Sequence, residues 1–252
     1  MKIDLLNRSQ LELLNKRGLR YNLQDAEKDY FLAITLLIFY NSELKNDLVF
    51  KGGTAIYHCY LEQLRFSKDL DFTARSRLTP SSLEKLIKSF EILNLKEMNE
   101  KKYGLDFSIQ YRGVLAQPDT IQVNINTNQK VLLEPKIMEY KNYYGLNFSC
   151  QVMDKSEIFA EKIRTLVDRA RPRDSYDLVI LQRNFGIKIK EALAILEKKE
   201  LHNPLGIKKI EENIKISIDR FEDEMKELYY RQPVGKDEIE MFAHELLRNL
   251  KR

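Results

Sequence analysis

KGGTAIYHCYLEQLRFSKDLDF, running from Lys51 to Phe72, is the stretch whose reading decides the fold. The apolar run Leu48-Val49-Phe50 leads into it as a strand and breaks at Gly52-Gly53-Thr54. Paired glycines let the backbone turn with φ > 0 and approach a ligand with no Cβ in the way. The N–H groups of such a turn can form an anion-holding nest, to which Thr54 adds a hydroxyl. Ala55, Ile56, Cys59, Tyr60 and Gln63 then follow helical spacing, which predicts a helix whose positive end faces the nest. The stretch closes on Asp69-Leu70-Asp71-Phe72. In a strand, residues i and i+2 share a face, so the two carboxylates point together while Leu70 and Phe72 enter the core. Adjacent carboxylates repel unless a cation lies between them. Magnesium, a hard ion that takes oxygen ligands and substrate phosphates, fits the pair, and manganese shares that preference.

A glycine turn followed by an edge strand with two solvated aspartates is the competing reading. It has to produce both glycines, the hydroxyl and both acids in this order by chance. The order strand, Gly-Gly-Thr, helix, Arg65-Phe66-Ser67, Asp-x-Asp resembles the first motif of nucleotidyltransferases with the DNA polymerase β-like fold. More narrowly it resembles the AbiEii/AbiGii toxin family, which carries FKGGT and then R-x-S-x-D-hydrophobic-D. Glu27-Lys28-Asp29-Tyr30 resembles a segment that precedes FKGGT in that family; the alternative for these charges is a solvated helix turn. The resemblance implies an α+β fold, a mixed sheet with flanking helices followed by a C-terminal helical bundle. It implies nucleotide contacts for Lys51, Gly52, Gly53, Thr54, Arg65 and Ser67, and a metal on Asp69 and Asp71.

A chain of 252 residues has room for one large domain or two small ones. With 43% hydrophobic and 32% charged residues, its composition is that of an ordinary globular protein and excludes a low-complexity chain. No apolar run reaches the length of a membrane helix, and the opening MKIDLLNRSQ is too polar for a signal peptide. Cys59 and Cys150 stand far apart in sequence and suggest no disulfide framework, which points to a reducing cytoplasm. The net charge of +4 permits nucleic acid as a partner without arguing for it. His58, His202 and His244 build no metal set, and the patterns of serine and cysteine hydrolases are absent.

The pattern predicts a helix over Leu23–Leu44 with Asp25 as its cap, and another after Thr79-Pro80, a capping hydroxyl followed by a first-turn proline. Alternating apolar residues predict strands over Leu105–Tyr111 and Ile121–Ile125, and an apolar run predicts a third at Val131–Leu133. Tyr140, Tyr143 and Tyr144 read as core packing with base stacking as the alternative. From Lys155 the composition turns helical: helices are expected from Ser156 as cap, over Asp174–Asn184, Ile187–Lys198, Gly206–Arg231 and Asp237–Leu250. The expected division is residues 1–150 as the α/β nucleotidyltransferase domain with N-terminal helices, and 151–252 as a helical domain.

A second constellation lies in EIFAEKIRTLVDRARPRDSYD, Glu157 to Asp177. Five cations in twelve residues, Lys162, Arg164, Arg169, Arg171 and Arg173, form a strip suited to polyphosphate or an RNA backbone. A solvated helix face with an Arg173–Asp177 pair is the alternative. The stretch resembles the later motifs of the toxin family, which implies that Lys162 contacts nucleotide phosphates, with Arg173 beside it, and that Asp174 supports the catalytic centre.

The resemblance covers most of residues 24–180 and implies NTP-dependent transfer of a nucleoside monophosphate, with Mg²⁺ or Mn²⁺, to an RNA acceptor such as a tRNA 3′ end. It also implies a toxin of a toxin–antitoxin or abortive-infection system with a cognate antitoxin. Transfer to a protein side chain and non-catalytic nucleotide or RNA binding are the alternatives. One departure stands out. The strand Thr120–Asn126 turns Gln122, Asn124 and Asn126 away from the core, so the place where the superfamily keeps a third carboxylate holds no acid. Proton removal is then expected from Asp71, Asp174 or solvent, unless Asp106 on the preceding strand is the third acid.

Overall fold

The computed structural model describes residues 3–76, 78–199, 205–226 and 228–251. His202 lies outside the described residues. The fold is α+β, and the chain divides into two compact units. The first comprises the described residues of Met1–Gln63, Ser67–Val131 and Pro135–Val152; the second, those of Leu64–Phe66, Leu132–Glu134 and Met153–Arg252.

The first unit is built on a seven-stranded mixed sheet. Its strands are β1 (Leu48–Lys51), β2 (Asp69–Ala74), β3 (Leu93–Lys101), β4 (Gly104–Arg112), β5 (Pro118–Asn126), β6 (Lys136–Glu139) and β7 (Ser149–Val152), in the order β3-β4-β5-β2-β1-β7-β6. β2 runs parallel to β5 and β1 parallel to β7; the remaining neighbours are antiparallel. Leu70, Phe72, Val123 and Ile125 are buried as the alternation predicts. The N-terminal α1 (Arg8–Arg17) starts at a capping box in which Asn7 and Gln10 each accept the other's backbone N–H. α2 (Leu23–Tyr40) is the expected long helix, capped by Asn22, which accepts the N–H of Asp25, and not by Asp25 itself. Its apolar residues are buried on almost every side, so it is a core helix rather than a surface one.

Sequence pattern and structure part company again after the glycine turn and at Val131–Leu133. The helix expected after the glycine turn is a single α-turn, α3 (Gly52–Ala55), that widens into a π-helical turn over Ile56–Tyr60. Val131–Leu133 forms no strand: the N–H groups of Leu132 and Leu133 go instead to the Glu157 carboxylate, at 2.9–3.1 Å. The charges of Glu27-Lys28-Asp29 are not a solvated turn, because Glu27 and Asp29 are buried. Glu27 accepts the N–H of Leu115 at 2.9 Å, and burial, only partly offset by such backbone bonds, raises its pKa. The Thr79-Pro80 start is as expected, opening α4 (Pro80–Lys88).

The second unit is helical: α5 (Lys155–Asp168), α6 (Pro172–Phe185), α7 (Ile189–Lys198), α8 (Ile207–Asp219), α9 (Phe221–Lys226) and α10 (Lys236–Leu250). Asp154 rather than Ser156 caps α5, accepting the Ser156 N–H. Pro172 occupies the first turn of α6, and Gly186 closes that helix in the left-handed conformation, φ 61°. The single helix expected over Gly206–Arg231 is broken at Arg220 into α8 and α9. Leu64–Phe66 joins this unit through backbone bonds: Arg231 N–H donates to Leu64 O at 2.7 Å and Phe66 N–H to Leu228 O at 3.0 Å.

Candidate active site

The acidic pair sits where β2 runs between β1 and β5. Asp69 and Asp71 are half-exposed while Leu70 and Phe72 between and beyond them are buried, so both carboxylates leave the same face of the sheet. The strand registers set a row across four strands, with Lys51 opposite Asp71, Asp71 opposite Asn124, and Asn124 opposite Asp106. Asn124 donates from its amide to Asp71 Oδ1 at 3.0 Å. The face of β5 expected to lack an acid does lie against Asp71, and it meets that carboxylate with a neutral donor.

The glycine turn is fitted to this carboxylate. Gly52 has φ +76°, and a Cβ placed on it would stand 2.3 Å from Asp71 Oδ2. Both the conformation and the contact demand glycine. Thr54 is fully buried and donates its hydroxyl to the backbone carbonyl of Asp69 at 2.6 Å. Its hydroxyl proton therefore ties the turn to the acidic strand rather than pointing at an anion. Lys51, Gly52 and Ser67 are partly exposed, and Gly53 is buried.

A divalent ion is compatible with this donor set. Two half-exposed carboxylates form an incomplete oxygen shell, and among the described residues no group of three or more His, Cys, Asp or Glu could hold a metal. An ion that keeps water and takes further oxygens from a triphosphate suits such a shell. Asp106 lines the same cleft as Asp71, but two strand spacings put its Cα roughly 10 Å from that of Asp71, and its carboxylate is paired with Lys101.

In the second unit Arg65, Lys162, Arg169, Asp174 and Asp177 form one ion network. Arg65 grips Asp177 with two parallel bonds of 2.7 Å, from Nε and Nη2. Lys162 Nζ reaches Asp177 Oδ2 at 2.7 Å and Asp174 Oδ1 at 3.0 Å. Arg169 Nε closes on Asp174 Oδ2 at 2.7 Å. Both carboxylates are completely buried, Arg65 is 2% exposed and Lys162 8%. Burial alone would raise the carboxyls' pKa values. Arg65 and Lys162 outweigh it at Asp177, lowering it to about 2. Lys162 and Arg169 hold Asp174 well below the ordinary carboxylate range. Burial works against the Lys162 charge too, yet Asp177 and Asp174 leave its pKa raised.

Lys162 is thus not part of a solvated helix face. Asp177 pairs with Arg65 and Lys162, and Arg173 stands half-exposed. Two of the five cations of the expected phosphate strip, Lys162 and Arg169, are engaged by Asp174. A carboxyl held as low as Asp174 is a weak base.

A third buried cluster had no sequence signal beyond the family-like Glu27–Tyr30 segment. Asp29 accepts from Gln63 Nε2 at 2.6 Å and from the Tyr144 hydroxyl at 2.9 Å. His58 Nε2 lies 3.4 Å from Asp29 Oδ1 without forming a hydrogen bond, and its ring stacks on Tyr140 at 4.4 Å. Tyr140 and Tyr144 are therefore core residues, as the packing reading expects, and His58 is buried with them, whereas Tyr143 is 41% exposed and does not join the core.

Comparison with protein-family models matches residues 35–246 to the family described as nucleotidyl transferase AbiEii toxin, type IV TA system. No curated protein sequence matches. Among solved structures, the chain resembles MenT4, nucleotidyltransferase toxin Rv2826c from Mycobacterium tuberculosis H37Rv, with a TM-score of 0.61 at 17% identity, over 98% of this chain and 90% of that one. It also resembles JHP933 from Helicobacter pylori, with a TM-score of 0.55 at 15% identity, over 90% of this chain and 92% of that one. At these identities the structural likeness establishes the fold. The family match runs on into α10, so the motif-poor C-terminal helices are part of the family's pattern.

Proposed function

The chain belongs to the AbiEii family of nucleotidyltransferase toxins of type IV toxin–antitoxin systems, and from that premise we propose that it transfers a nucleoside monophosphate from an NTP to an RNA 3′ end, with tRNA as the acceptor and Mg²⁺ held by Asp69 and Asp71. The family implies an NTP substrate, a divalent metal and an antitoxin partner; the choice of magnesium over manganese, the RNA acceptor and a cytoplasmic setting are our reading. No helix among the described residues is long and apolar enough to cross a membrane.

The observation that carries the proposal is the fit of Gly52 against Asp71, where only a missing side chain lets the turn and the acidic strand meet. In this reading Lys51, Gly52, Gly53 and Ser67 receive the triphosphate, and Thr54 fixes the turn to β2. A divalent ion on Asp69 and Asp71 would neutralise charge on the triphosphate and acidify the attacking hydroxyl. The acceptor oxygen bonds to the α-phosphorus, the bond from that phosphorus to the bridging oxygen breaks, and pyrophosphate leaves with the electron pair. Asn124 holds Asp71 in place through its amide. The acceptor proton passes to Asp71 or to solvent, since Asp174 is too weak a base. We assign the transfer chemistry to residues 1–150 and treat 151–252 as a helical domain. There Asp174 is a positioning residue: it shares Lys162 with Asp177, which leaves one ammonium proton of Lys162 for a phosphate. Arg173 completes the proposed set of nucleotide-handling cations, whereas Arg65, expected there too, is buried and gives its donors to Asp177 and the Phe66 carbonyl.

The test is incubation of the full chain with each labelled NTP, Mg²⁺, and total cell RNA or total cell protein. Label from one NTP entering RNA is the expected result. Label entering only protein would move the acceptor to a side chain, and no label in either pool from folded chain would overturn the proposal.

A further inference from the structure

The turn joining β3 to β4, Lys101-Lys102-Tyr103-Gly104, takes no part in the chemistry above, yet it stands between two open clefts of the first unit. One, of about 390 Å³, extends from Asp71 and Asn124 to Lys102 and Tyr103. The other, of about 470 Å³, is walled by Arg75, Ser76 and Pro80. Lys101 and Gly104 line both, so the turn borders each cleft, with Asp106 in the first and Glu100 in the second.

The turn is held down firmly. Lys101 is paired with Asp106. Thr127 N–H donates to the Tyr103 carbonyl at 3.1 Å. A Cβ on Gly104 would stand 2.4 Å from the Ile125 carbonyl oxygen, so β4 lies directly against β5 at this point. Lys102 Nζ sits 5.0 Å from the centroid of the Tyr103 ring, over the face that a nucleobase would take.

We propose that this turn is the floor of a track for single-stranded RNA, with the terminal nucleotide in the Asp71 cleft and the preceding ones crossing Lys102 and Tyr103 toward Arg75. The proposal rests on the transfer reading and adds where the acceptor lies. A mononucleotide would use one cleft, whereas a polymer needs a continuation beyond it, and the Arg75 cleft supplies one. Cations interleaved with an aromatic ring match alternating phosphates and bases. On binding, Lys102 exchanges the ring for a phosphate, and the exposed ring face receives a base. An acidic peptide could use the cations but has no flat group for the ring.

The test measures anisotropy of a short 5′-labelled single-stranded RNA on the full chain, without NTP or divalent ions, across a salt series. Lys102→Ala and Arg75→Ala are each expected to weaken binding about tenfold and to lower the log–log salt slope by about 0.7, the loss of one phosphate contact. Tyr103→Ala is expected to weaken it about tenfold with the slope unchanged, and Tyr103→Phe to restore it. The KM for NTP, measured by pyrophosphate release, should stay at the parent value in all four. RNA affinity and salt slope equal to the parent's in Lys102→Ala, Arg75→Ala and Tyr103→Ala would overturn the track, as would failure of the parent chain to bind RNA. Pyrophosphate release by the parent tests the transfer reading separately: its presence alongside unchanged RNA binding condemns the track alone, and its absence alongside the expected binding losses condemns the transfer reading alone.

Discussion

Two pairs of acids lie in this chain, and their surroundings are opposite. Asp174 and Asp177 are fully buried among Lys162, Arg65 and Arg169, every carboxylate oxygen answered by a cation of the protein. Asp69 and Asp71 stand half-exposed on one face of β2, where Asp71 takes a neutral amide from Asn124. A buried pair supplied with its own cations is finished when the chain folds. A half-exposed pair keeps a side open to solution. The proposed function gives the chemistry to the half-exposed pair and leaves the buried pair to hold its own cations, although both carried motif-like spacing in the sequence.

Breaking the buried pair should have the largest effect on stability. Asp177→Asn leaves Arg65 and Lys162 facing each other without their shared carboxylate, and we expect a loss of about 3–5 kcal/mol. Chemical denaturation of the variant against the parent measures it; a loss below about 1 kcal/mol would place the network outside the structural core.

Acid should act on the same pair. Asp177 has a pKa lowered to about 2 in the folded chain, against about 3.9 when unfolded. Its contribution is therefore fully present above about pH 4 and is lost as pH falls through 2, on the order of 2–3 kcal/mol. Asp174, held still lower by Lys162 and Arg169, adds in the same direction and is lost at lower pH. Denaturation midpoints measured from pH 5 to pH 2 should fall steeply for the parent and more gently for Asp177→Asn.

At the half-exposed pair, Gly52→Ala tests the fit of the turn. A side chain at φ +76°, driven into Asp71, should cost about 1–3 kcal/mol. By shifting that carboxylate it should lower the transfer rate on the order of 10²-fold. A variant with parental stability and rate would mean that the turn and β2 are not fitted to each other. Asp106→Asn should do least. Its carboxylate is paired with an exposed lysine and stands two strands from Asp71, so transfer is expected to stay within about twofold of the parent. A dead Asp106→Asn would show that the site uses three acids.

Legibility followed burial and periodicity. Over Asp69–Phe72 and Ile121–Asn126 buried residues alternate with more exposed ones, so those faces could be read directly, Asn124 included; β4 was legible from its apolar residues, although Ser108 between them is buried too. β3 could not be read: apart from Leu93, its residues are exposed or half-exposed, so no apolar alternation marks it. β6 and β7 have four residues each, too few for a pattern. Leu132 and Leu133 look like strand residues but give their N–H groups to Glu157, a choice made by tertiary contact. At the site, the glycine turn and the acidic pair were visible because their chemistry is local. The pairing of Arg65 with Asp177 spans 112 residues, and nothing within the Arg173–Asp177 segment could have told that Asp177 reaches Arg65.

The most direct test of the contrast is the double substitution Asp69→Asn/Asp71→Asn, with transfer of labelled NMP and the melting temperature measured on the same preparation. Transfer should vanish while the melting temperature stays level or rises slightly, because two like charges on one face of β2 are removed. Full transfer by the folded double variant would contradict the assignment of these two acids to the chemistry.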